Sequence, residues 1–307
     1  MSAQNTRVLR LGPEAIAEAA RLIGTGLPVA VPTETVYGLA ADAGSGEAVA
    51  RIYEAKGRPS FNPLIVHVKD VEQARSIARF GDEAEALAER FWPGPLTLVL
   101  PLREDAPISA LVTAGLQTIA LRAPAHPAMR DLLAAVGRSL AAPSANASGR
   151  ISPTRAEHVL ASVGGRIPLI VDGGPTEHGL ESTIVALTGG AARLLRPGPI
   201  DLGLALDQRR GVESPGRLKS HYAPAKPLRL EAIEARHDEW LIGFGAVQGD
   251  ATLSASGNLI EAAANLFDRL HESEAAAELR IAVAPIPDEG LGAAINDRLR
   301  RAAATLT

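Results

Sequence analysis

Short β-branched or apolar runs alternate with helical patterns through the first two hundred residues, and this alternation constrains the fold more than any other feature of the sequence. Strands and helices mixed at this spacing are typical of a layered α/β sheet. Several predicted strands follow one another without a helix between them, so we expect a twisted, open sheet of mixed strand direction flanked by helices. The predicted strands span residues 29–32, 64–68, 97–102, 118–122, 139–142, 169–171, 182–187 and 192–195.

Six helical patterns accompany these strands. Two of them have clear start signals, because Pro13 followed by Glu14 opens the first and Ser152-Pro153-Thr154 precedes the last. Proline is favoured at the first positions of a helix, where its missing N–H costs nothing. The predicted helices span residues 13–23, 46–55, 71–79, 82–91, 126–136 and 154–163.

A second, smaller unit follows a segment without helical periodicity. Residues 211–227 contain three prolines and two glycines, as expected of an inter-domain linker. The sequence beyond them predicts a strand at 240–244, a helix at 259–271, a strand at 281–285 and a helix at 291–304. We therefore expect a first domain over 8–206, a basic linker over 207–229 and a small α/β domain over 230–307. The total of 307 residues agrees with two domains of roughly 150 residues.

Composition excludes several classes of protein. The chain has no cysteine, which rules out disulfides, thiolate zinc sites and cysteine nucleophiles. It contains no apolar run of about 18 residues that could span a membrane, and its first residues lack the apolar core of a secretory signal. We therefore expect a cytoplasmic protein that does not bind membranes.

The charge is unevenly distributed along the chain. The net charge of −4 argues against strong direct binding to nucleic acid, since such proteins usually carry a large basic excess. Residues 208–229, however, hold six basic residues and one acidic residue, and they separate two acidic segments. On charge alone, a solvated linker and a functional segment are equally compatible with this pattern.

Most motifs for nucleotide, metal or nucleophile chemistry are absent from the sequence. None of the four lysines follows a glycine, so there is no P-loop, and neither H-E-x-x-H nor G-x-S-x-G occurs. His67 lies in the apolar run LIVHV, where a histidine taken alone is more often a core residue than a catalyst.

Polar residues instead concentrate at the ends of the predicted strands, where ligands tend to bind in open α/β sheets. Lys56, Arg58, Arg122 and Arg196 could form a compact cationic site, and arginine and lysine match the oxygens of a polyphosphate. The hydroxyl-rich loop APSANASGRISP would let backbone approach an anion closely. The residues themselves therefore indicate an anionic ligand, although each motif could also be an ordinary turn or an exposed ion pair.

Six motifs together carry a resemblance to a known family. KGRP…NPLIVHV, FWPGPLTLVL, ALRAP, APSANASGRISPT, GLESTIV and LLRPG occur in the order found in the YrdC-domain family. SHYAP and the tail GLGAAINDRLRRAA resemble its longer, two-domain form, the threonylcarbamoyl-AMP synthases. The resemblance covers about residues 8–307, and its motifs are more specific in the first domain than in the second.

The resemblance implies a nucleotidyltransferase reaction. L-Threonine, bicarbonate or CO2, and ATP would give L-threonylcarbamoyl-AMP and pyrophosphate, the first step of threonylcarbamoyladenosine modification of tRNA. A separate threonylcarbamoyl transferase complex would consume the product. Because Mg²⁺ usually needs few protein ligands, we expect it to arrive with ATP, and we expect no tightly bound cofactor and no resident metal.

The resemblance also implies roles for individual residues. Lys56 and Arg58 would be catalytic, Tyr222 would belong to a lid that closes over the nucleotide, and Lys219 would lie in the same basic segment. Thr33 and Glu34 receive no role. The residues implied to bind threonine are Thr35, His67, Arg122, Ala142 and Ser182. The residues implied to bind ATP are Lys56, Arg58, Asn62, Thr118, Ser144, Asn146, Ser152, Arg196 and Tyr222.

One alternative comes from a different class of protein. A non-catalytic RNA-binding protein could use the same basic concave surface. The negative net charge and an aromatic content of only 3% disfavour it, because RNA-binding surfaces usually combine positive charge with aromatic stacking.

Overall fold

The computed structural model describes residues 5–59, 62–207 and 221–304 and contains two sheets. The strands of the larger sheet are β1 (Arg7–Arg10), β2 (Val29–Pro32), β3 (Tyr37–Asp42), β4 (Ile65–His67), β5 (Leu96–Pro101), β6 (Thr118–Arg122), β7 (Leu140–Ala141), β8 (Leu169–Asp172), β9 (Thr183–Ala186) and β10 (Arg193–Arg196). Their order across the sheet is β1-β8-β2-β3-β7-β4-β6-β5-β9-β10.

Strand directions in this sheet are mixed, as predicted. The antiparallel pairs include β2 with β3 and β5 with β6, and the parallel pairs include β4 with β6 and β5 with β9. In β3, Leu39 packs into one apolar cluster and Ala40 into another, because successive side chains of a strand point to opposite faces. The sheet therefore has a core on both faces.

Helices cover both faces of the large sheet. They are α1 (Pro13–Gly24), α2 (Gly46–Lys56), α3 (Val71–Arg75), α4 (Asp82–Phe91), α5 (Ala110–Thr113), α6 (Pro127–Val136) and α7 (Ala156–Val163). Buried residues of α1 and α6 share one cluster, whereas those of α2, α4 and α7 belong to the other. Each helix buries an apolar stripe against the strands, which is the usual source of stability for a layered domain.

The smaller sheet forms a C-terminal domain. Its elements are β11 (Leu228–Arg229), β12 (Glu239–Gly243), β13 (Ala251–Thr252), α8 (Leu259–Ala275), β14 (Arg280–Val283) and α9 (Leu291–Ala303). The strand order is β11-β14-β12-β13, and all these pairs are parallel. Val36, Ile151 and Leu180 of the first domain pack into the same apolar cluster as Leu266 and Phe267 of α8. The two domains therefore share a buried apolar contact.

The predicted elements agree with the structure to within a few residues, but several elements were missed. No strand was predicted over residues 37–42, where β3 lies. The hairpin turn before β3, residues 33–36, contains none of the usual turn residues; instead, the Thr33 hydroxyl donates to the Val36 carbonyl at 2.7 Å. The exposed edge strand β1, the short helix α5 and the two-residue strands β11 and β13 were also missed.

The predicted linker is only partly described. Residues 208–220, including Lys219, lie outside the described residues. At its other end, β11 occupies 228–229, so these two residues belong to the C-terminal sheet and not to a linker. None of the helices in the described ranges is long and apolar enough to cross a bilayer.

Candidate active site

A cavity lies against one face of the large sheet, where the ends of several strands meet. His67 and Arg122 pair in register on the adjacent strands β4 and β6, so their side chains share a face. The lining residues are Thr33, Thr35, Val36, Gly38, Arg58, Ile65, His67, Arg122, Ala142, Pro143, Ser144, Glu181, Ser182, Arg196, His221 and Tyr222. All five residues that were predicted to bind threonine are among them.

A buried ion pair forms one wall of this cavity. Arg122 Nη2 donates to Glu34 Oε1 at 2.6 Å, Nη1 donates to Thr35 Oγ1 at 2.8 Å, and Nε donates to the Gly94 carbonyl at 3.2 Å. Burial raises the pKa of Glu34, but Arg122 more than offsets this and lowers it to about 2. Glu34 is therefore ionised at neutral pH and fixes the Arg122 guanidinium. No role was predicted for Glu34, because nothing in its spacing along the sequence links it to Arg122.

His67 is buried in the cavity wall without a hydrogen-bond partner among the described residues. Burial and the nearby Arg122 lower the pKa of His67 to about 3, so the imidazole is neutral at pH 7. A neutral imidazole offers one donor and one acceptor. Buried polar groups are normally satisfied, and two orphan nitrogens facing a cavity therefore indicate a ligand contact rather than a core position.

Two guanidinium groups form the cationic wall. Arg58 donates from Nε to the Asn62 carbonyl at 3.2 Å and from Nη2 to the Pro63 carbonyl at 3.0 Å. Arg196 donates from Nε to the Ser182 carbonyl at 3.0 Å and from Nη2 to Ser182 Oγ at 3.1 Å. Burial lowers the pKa of Arg58 to about 10, which leaves it charged at neutral pH. These contacts hold two positive charges at the cavity, and no carboxylate in the described parts of the chain is hydrogen-bonded to either.

Lys56 does not line the cavity. Its ammonium donates to the carbonyls of Ser144 and Asn146, both at 2.5 Å, and to Asn146 Oδ1 at 3.3 Å. Burial and the neighbouring Arg58 lower its pKa well below the ordinary value. In this structure Lys56 holds the loop that presents Ser144, and a direct phosphate contact from Lys56 stays a prediction.

The remaining predicted ATP residues are not among those that line the cavity. Both amide atoms of Asn62 are buried without a partner in the described parts of the chain. The Asn146 amide is used within its own loop, since Nδ2 donates to the Arg150 carbonyl at 2.7 Å. Thr118 begins β6, at the opposite end of that strand from Arg122. Binding of ATP by Thr118 and Asn146 therefore stays a prediction.

Two residues that precede the C-terminal sheet complete the cavity. His221 and Tyr222 line it, and Tyr222 adopts a φ of 62°, which is uncommon for a non-glycine residue. The Tyr222 hydroxyl and His221 Nδ1 are buried without partners among the described residues. The cavity that these residues help to enclose measures about 50 Å³.

A charged pair at the cavity edge, Glu181 with Arg298, was not predicted. Glu181 accepts from Ser152 Oγ at 2.5 Å and from Arg298 Nε at 3.0 Å. Both residues lie in motifs that carried the family resemblance, GLESTIV and GLGAAINDRLRRAA. Membership of these motifs was the only sequence signal that pointed to them.

Two family models match the chain. The model Sua5_yciO_yrdC, described as "Telomere recombination", matches residues 21–198, and Sua5_C, described as "Threonylcarbamoyl-AMP synthase, C-terminal domain", matches residues 186–304. This chain belongs to the Sua5/YciO/YrdC family. The resemblance found in the sequence is thereby confirmed, and the second match assigns the C-terminal part to the longer, Sua5 form of the family.

Relatives that match over nearly the whole chain share both domains. The threonylcarbamoyl-AMP synthase of Bacillus subtilis (strain 168) is 43% identical over 94% of this chain and 92% of its own length. That of Pyrococcus abyssi is 40% identical, with 92% of each chain covered. The crystal structure of P. abyssi Sua5 complexed with L-threonine superposes with a TM-score of 0.89 at 37% identity and covers 97% of this Sua5-family chain and 98% of the other.

Proposed function

We propose that this protein synthesises L-threonylcarbamoyl-AMP from L-threonine, bicarbonate or CO2, and ATP, with release of pyrophosphate. The observation that carries the proposal is that one cavity is lined both by Thr35, His67, Arg122, Ala142 and Ser182 and by the cations Arg58 and Arg196. The names of the near-full-length relatives and the threonine complex of P. abyssi Sua5 support it. As a nucleotidyltransferase, the protein would carry out the first step of tRNA threonylcarbamoyladenosine synthesis.

The chemistry needs no nucleophile from the protein. An oxygen of the carbamate group, and not of the α-carboxylate of threonine, attacks the α-phosphorus of ATP. The bond from this phosphorus to the oxygen that bridges it to the β-phosphorus breaks, and pyrophosphate leaves. Catalysis of such a transfer is mainly positioning and stabilisation of developing negative charge. We propose that Arg58 and Arg196 supply that charge stabilisation. In support of this role, hydrogen bonds hold both guanidinium planes before any ligand arrives.

The Arg122 side of the cavity suits the amino acid. The three protein contacts of Arg122 leave two of its five N–H groups for the carboxylate of threonine. Neutral His67 can donate to or accept from the polar groups of the same ligand. Ser182 Oγ, which bonds Thr97 Oγ1 at 2.7 Å, adds a fixed hydroxyl.

ATP requires the cavity to open. Ligand pockets usually measure about 300–1,000 Å³, several times the volume enclosed here. We propose that the segment with His221 and Tyr222 moves aside for ATP and then closes over it. Closure would exclude water, which matters because both the carbamate and the mixed anhydride are labile.

Mg²⁺ and the downstream partner belong to the same proposal. Magnesium commonly binds through substrate phosphates and one or two carboxylates, so we propose that it enters with ATP. Within the described ranges, no group of three His, Asp or Glu side chains is arranged to hold a metal ion. The product would pass to a separate threonylcarbamoyl transferase complex that acts on tRNA.

The decisive experiment is a pyrophosphate-release assay with the purified full-length protein. Release should require threonine, bicarbonate and ATP together, and mass spectrometry should detect threonylcarbamoyl-AMP. Equal release without threonine or without bicarbonate would contradict the proposal. Salt-dependent RNA affinity with no ATP consumption would favour the alternative of a non-catalytic RNA-binding protein.

A further inference from the structure

Helix α9 of the C-terminal domain places a fully buried arginine beside the cavity. Arg298 has a side-chain exposure of 0% and donates from Nε to Glu181 Oε2 at 3.0 Å. Its Nη1 donates to the Pro197 carbonyl at 2.7 Å and to Asp297 Oδ2 at 3.2 Å. Nη2 donates to the Glu181 carbonyl at 3.4 Å. Four acceptor atoms from two domains therefore fix the plane of this guanidinium.

Glu181 connects Arg298 to the groups proposed to bind ATP. Its other oxygen, Oε1, accepts from Ser152 Oγ, so the carboxylate joins Arg298 to that serine. The next residue, Ser182, provides the carbonyl and the hydroxyl that hold Arg196. Displacement of Glu181 would therefore disturb both Ser152 and Arg196.

The same helix supports the residues that close the cavity. The Arg298 guanidinium carbon lies 5.5 Å from the centroid of the Tyr222 ring, within the range of a cation–π contact. The backbone N–H of His221 donates to the Arg301 carbonyl at 3.3 Å. Helix α9 thus contacts His221 and Tyr222 directly.

Docking of the two domains does not by itself require this buried charge. An apolar cluster joins them, and Arg155 forms an ion pair with Asp268 at 2.7 Å. The packing is also close at Gly179, where a Cβ would lie 2.4 Å from the Ala264 carbonyl oxygen of α8. A buried ion pair adds little to the stability of a fold, because the cost of desolvating both charges offsets their attraction. Its defined geometry can instead hold the side chains of a binding site in position.

We propose that Arg298 is a positioning residue for the nucleotide half of the cavity, so that the C-terminal domain completes the ATP site of the first domain. Arg298 acts by holding Glu181, and through it Ser152 and Arg196, and by holding Tyr222. Among the described residues, no hydrogen bond joins Arg298 to Arg122 or Glu34, and the threonine half meets this network only at Ser182. This inference rests on the proposed function.

The test is Arg298→Lys in the full-length protein. Lysine keeps the charge but lacks the planar fork that bonds several acceptors at once. Alanine would leave the Glu181 carboxylate buried without its partner, and loss of the fold would then explain any loss of activity. We expect the KM and Kd for ATP to rise by about tenfold, as for loss of a charge-assisted hydrogen bond, with the Kd for threonine within about twofold of wild type.

A second variant and a matched control complete the design. Glu181→Gln should show the same selective loss of ATP affinity. If Arg298→Lys does not fold, this variant alone tests whether the contact between Arg298 and Glu181 positions the ATP site. Arg300→Gln, on the same helix with an exposed ion pair to Asp288, should change neither affinity. Unchanged ATP affinity in Glu181→Gln, or equal losses for ATP and threonine, would overturn the inference.

Calorimetry separates this inference from the proposed function. If the wild-type protein binds ATP but makes no threonylcarbamoyl-AMP, the proposed function fails, and the comparison of ATP affinities still tests Arg298. If the product forms and Arg298→Lys binds ATP as tightly as wild type, only the positioning role fails. If the wild-type protein does not bind ATP, both fail.

Discussion

Glu34 and Arg122 form a buried ion pair across 88 positions of sequence, with 2.6 Å between Oε1 and Nη2 and 4% exposure of each side chain. Glu34 Oε2 also accepts from the backbone N–H of His126 at 3.2 Å. The pair aligns Arg122 beside His67 at the cavity. Its burial makes each charge dependent on the other, because neither is solvated by bulk water.

Removal of one partner should therefore destabilise the fold. We expect Glu34→Ala to lower the free energy of unfolding by about 3–5 kcal/mol, since Arg122 is left as an uncompensated buried charge. Denaturant titration followed by circular dichroism measures this. Glu104→Ala is the control, because Glu104 is 96% exposed and its pair with Arg79 should be worth at most about 1 kcal/mol. Equal losses in the two variants would contradict the prediction.

The same pair predicts a dependence of stability on acid. The pKa of Glu34 lies at about 2 in the folded protein, below its ordinary value of 4.5. A lowered carboxyl pKa stabilises the fold above about pH 4.5, and this contribution is lost as the pH falls from 4.5 towards 2. The difference in unfolding free energy between wild type and Glu34→Gln should be constant from pH 5 to 7 and shrink below about pH 4.5. A difference that does not change with pH would contradict this account.

His67 should contribute to threonine binding rather than to stability. Its ring nitrogens have no partners among the described residues, so His67→Asn breaks no hydrogen bond in the ligand-free protein. We expect the Kd for threonine to rise by about tenfold, as for loss of a hydrogen bond in a buried site. Because the pKa of His67 is about 3, its contribution should not vary between pH 6 and 8. Calorimetry tests both points, with His237→Asn, at a 97% exposed side chain, as control.

The cationic wall should matter for rate. Arg58→Ala or Arg196→Ala should reduce kcat by about tenfold or more, since each removes charge from the position where negative charge develops. Arg75→Ala, which removes an exposed partner of Glu85, is the matched control. Single-turnover pyrophosphate release measures the effect. Normal rates in both variants would mean that the phosphates bind elsewhere.

Tyr222→Phe should separate binding from stability. The Tyr222 hydroxyl has no partner in the described chain, so its removal should leave the melting temperature unchanged or slightly raised while the KM for ATP increases severalfold. Tyr53→Phe is the contrasting control. Its hydroxyl donates to the carbonyls of Asn62 and Leu111, both at 3.0 Å, and the variant should lose about 1–2 kcal/mol. An unchanged KM for ATP in Tyr222→Phe would show that the Tyr222 hydroxyl does not contribute to nucleotide binding.

Local sequence was sufficient to predict most of the secondary structure. The predicted strand at 118–122 and the predicted helix at 82–91 have the same bounds as β6 and α4. Both predictions succeed because the apolar period of a strand or helix reports which residues of one short segment are buried. Strand β3 could not be predicted from local sequence in this way. Its Ala- and Gly-containing sequence has little strand propensity, and its burial comes from neighbouring strands.

The sequence by itself determined the family, the mixed α/β fold and the residue types available to the site. Only the tertiary structure decided which of them meet. It paired Glu34 with Arg122 and Glu181 with Arg298, placed Lys56 on the loop of Ser144 and Asn146, and left His67 without a partner. Strand order and domain packing bring these groups together. Periodicity along a chain records the burial of each segment but not which distant segment lies beside it.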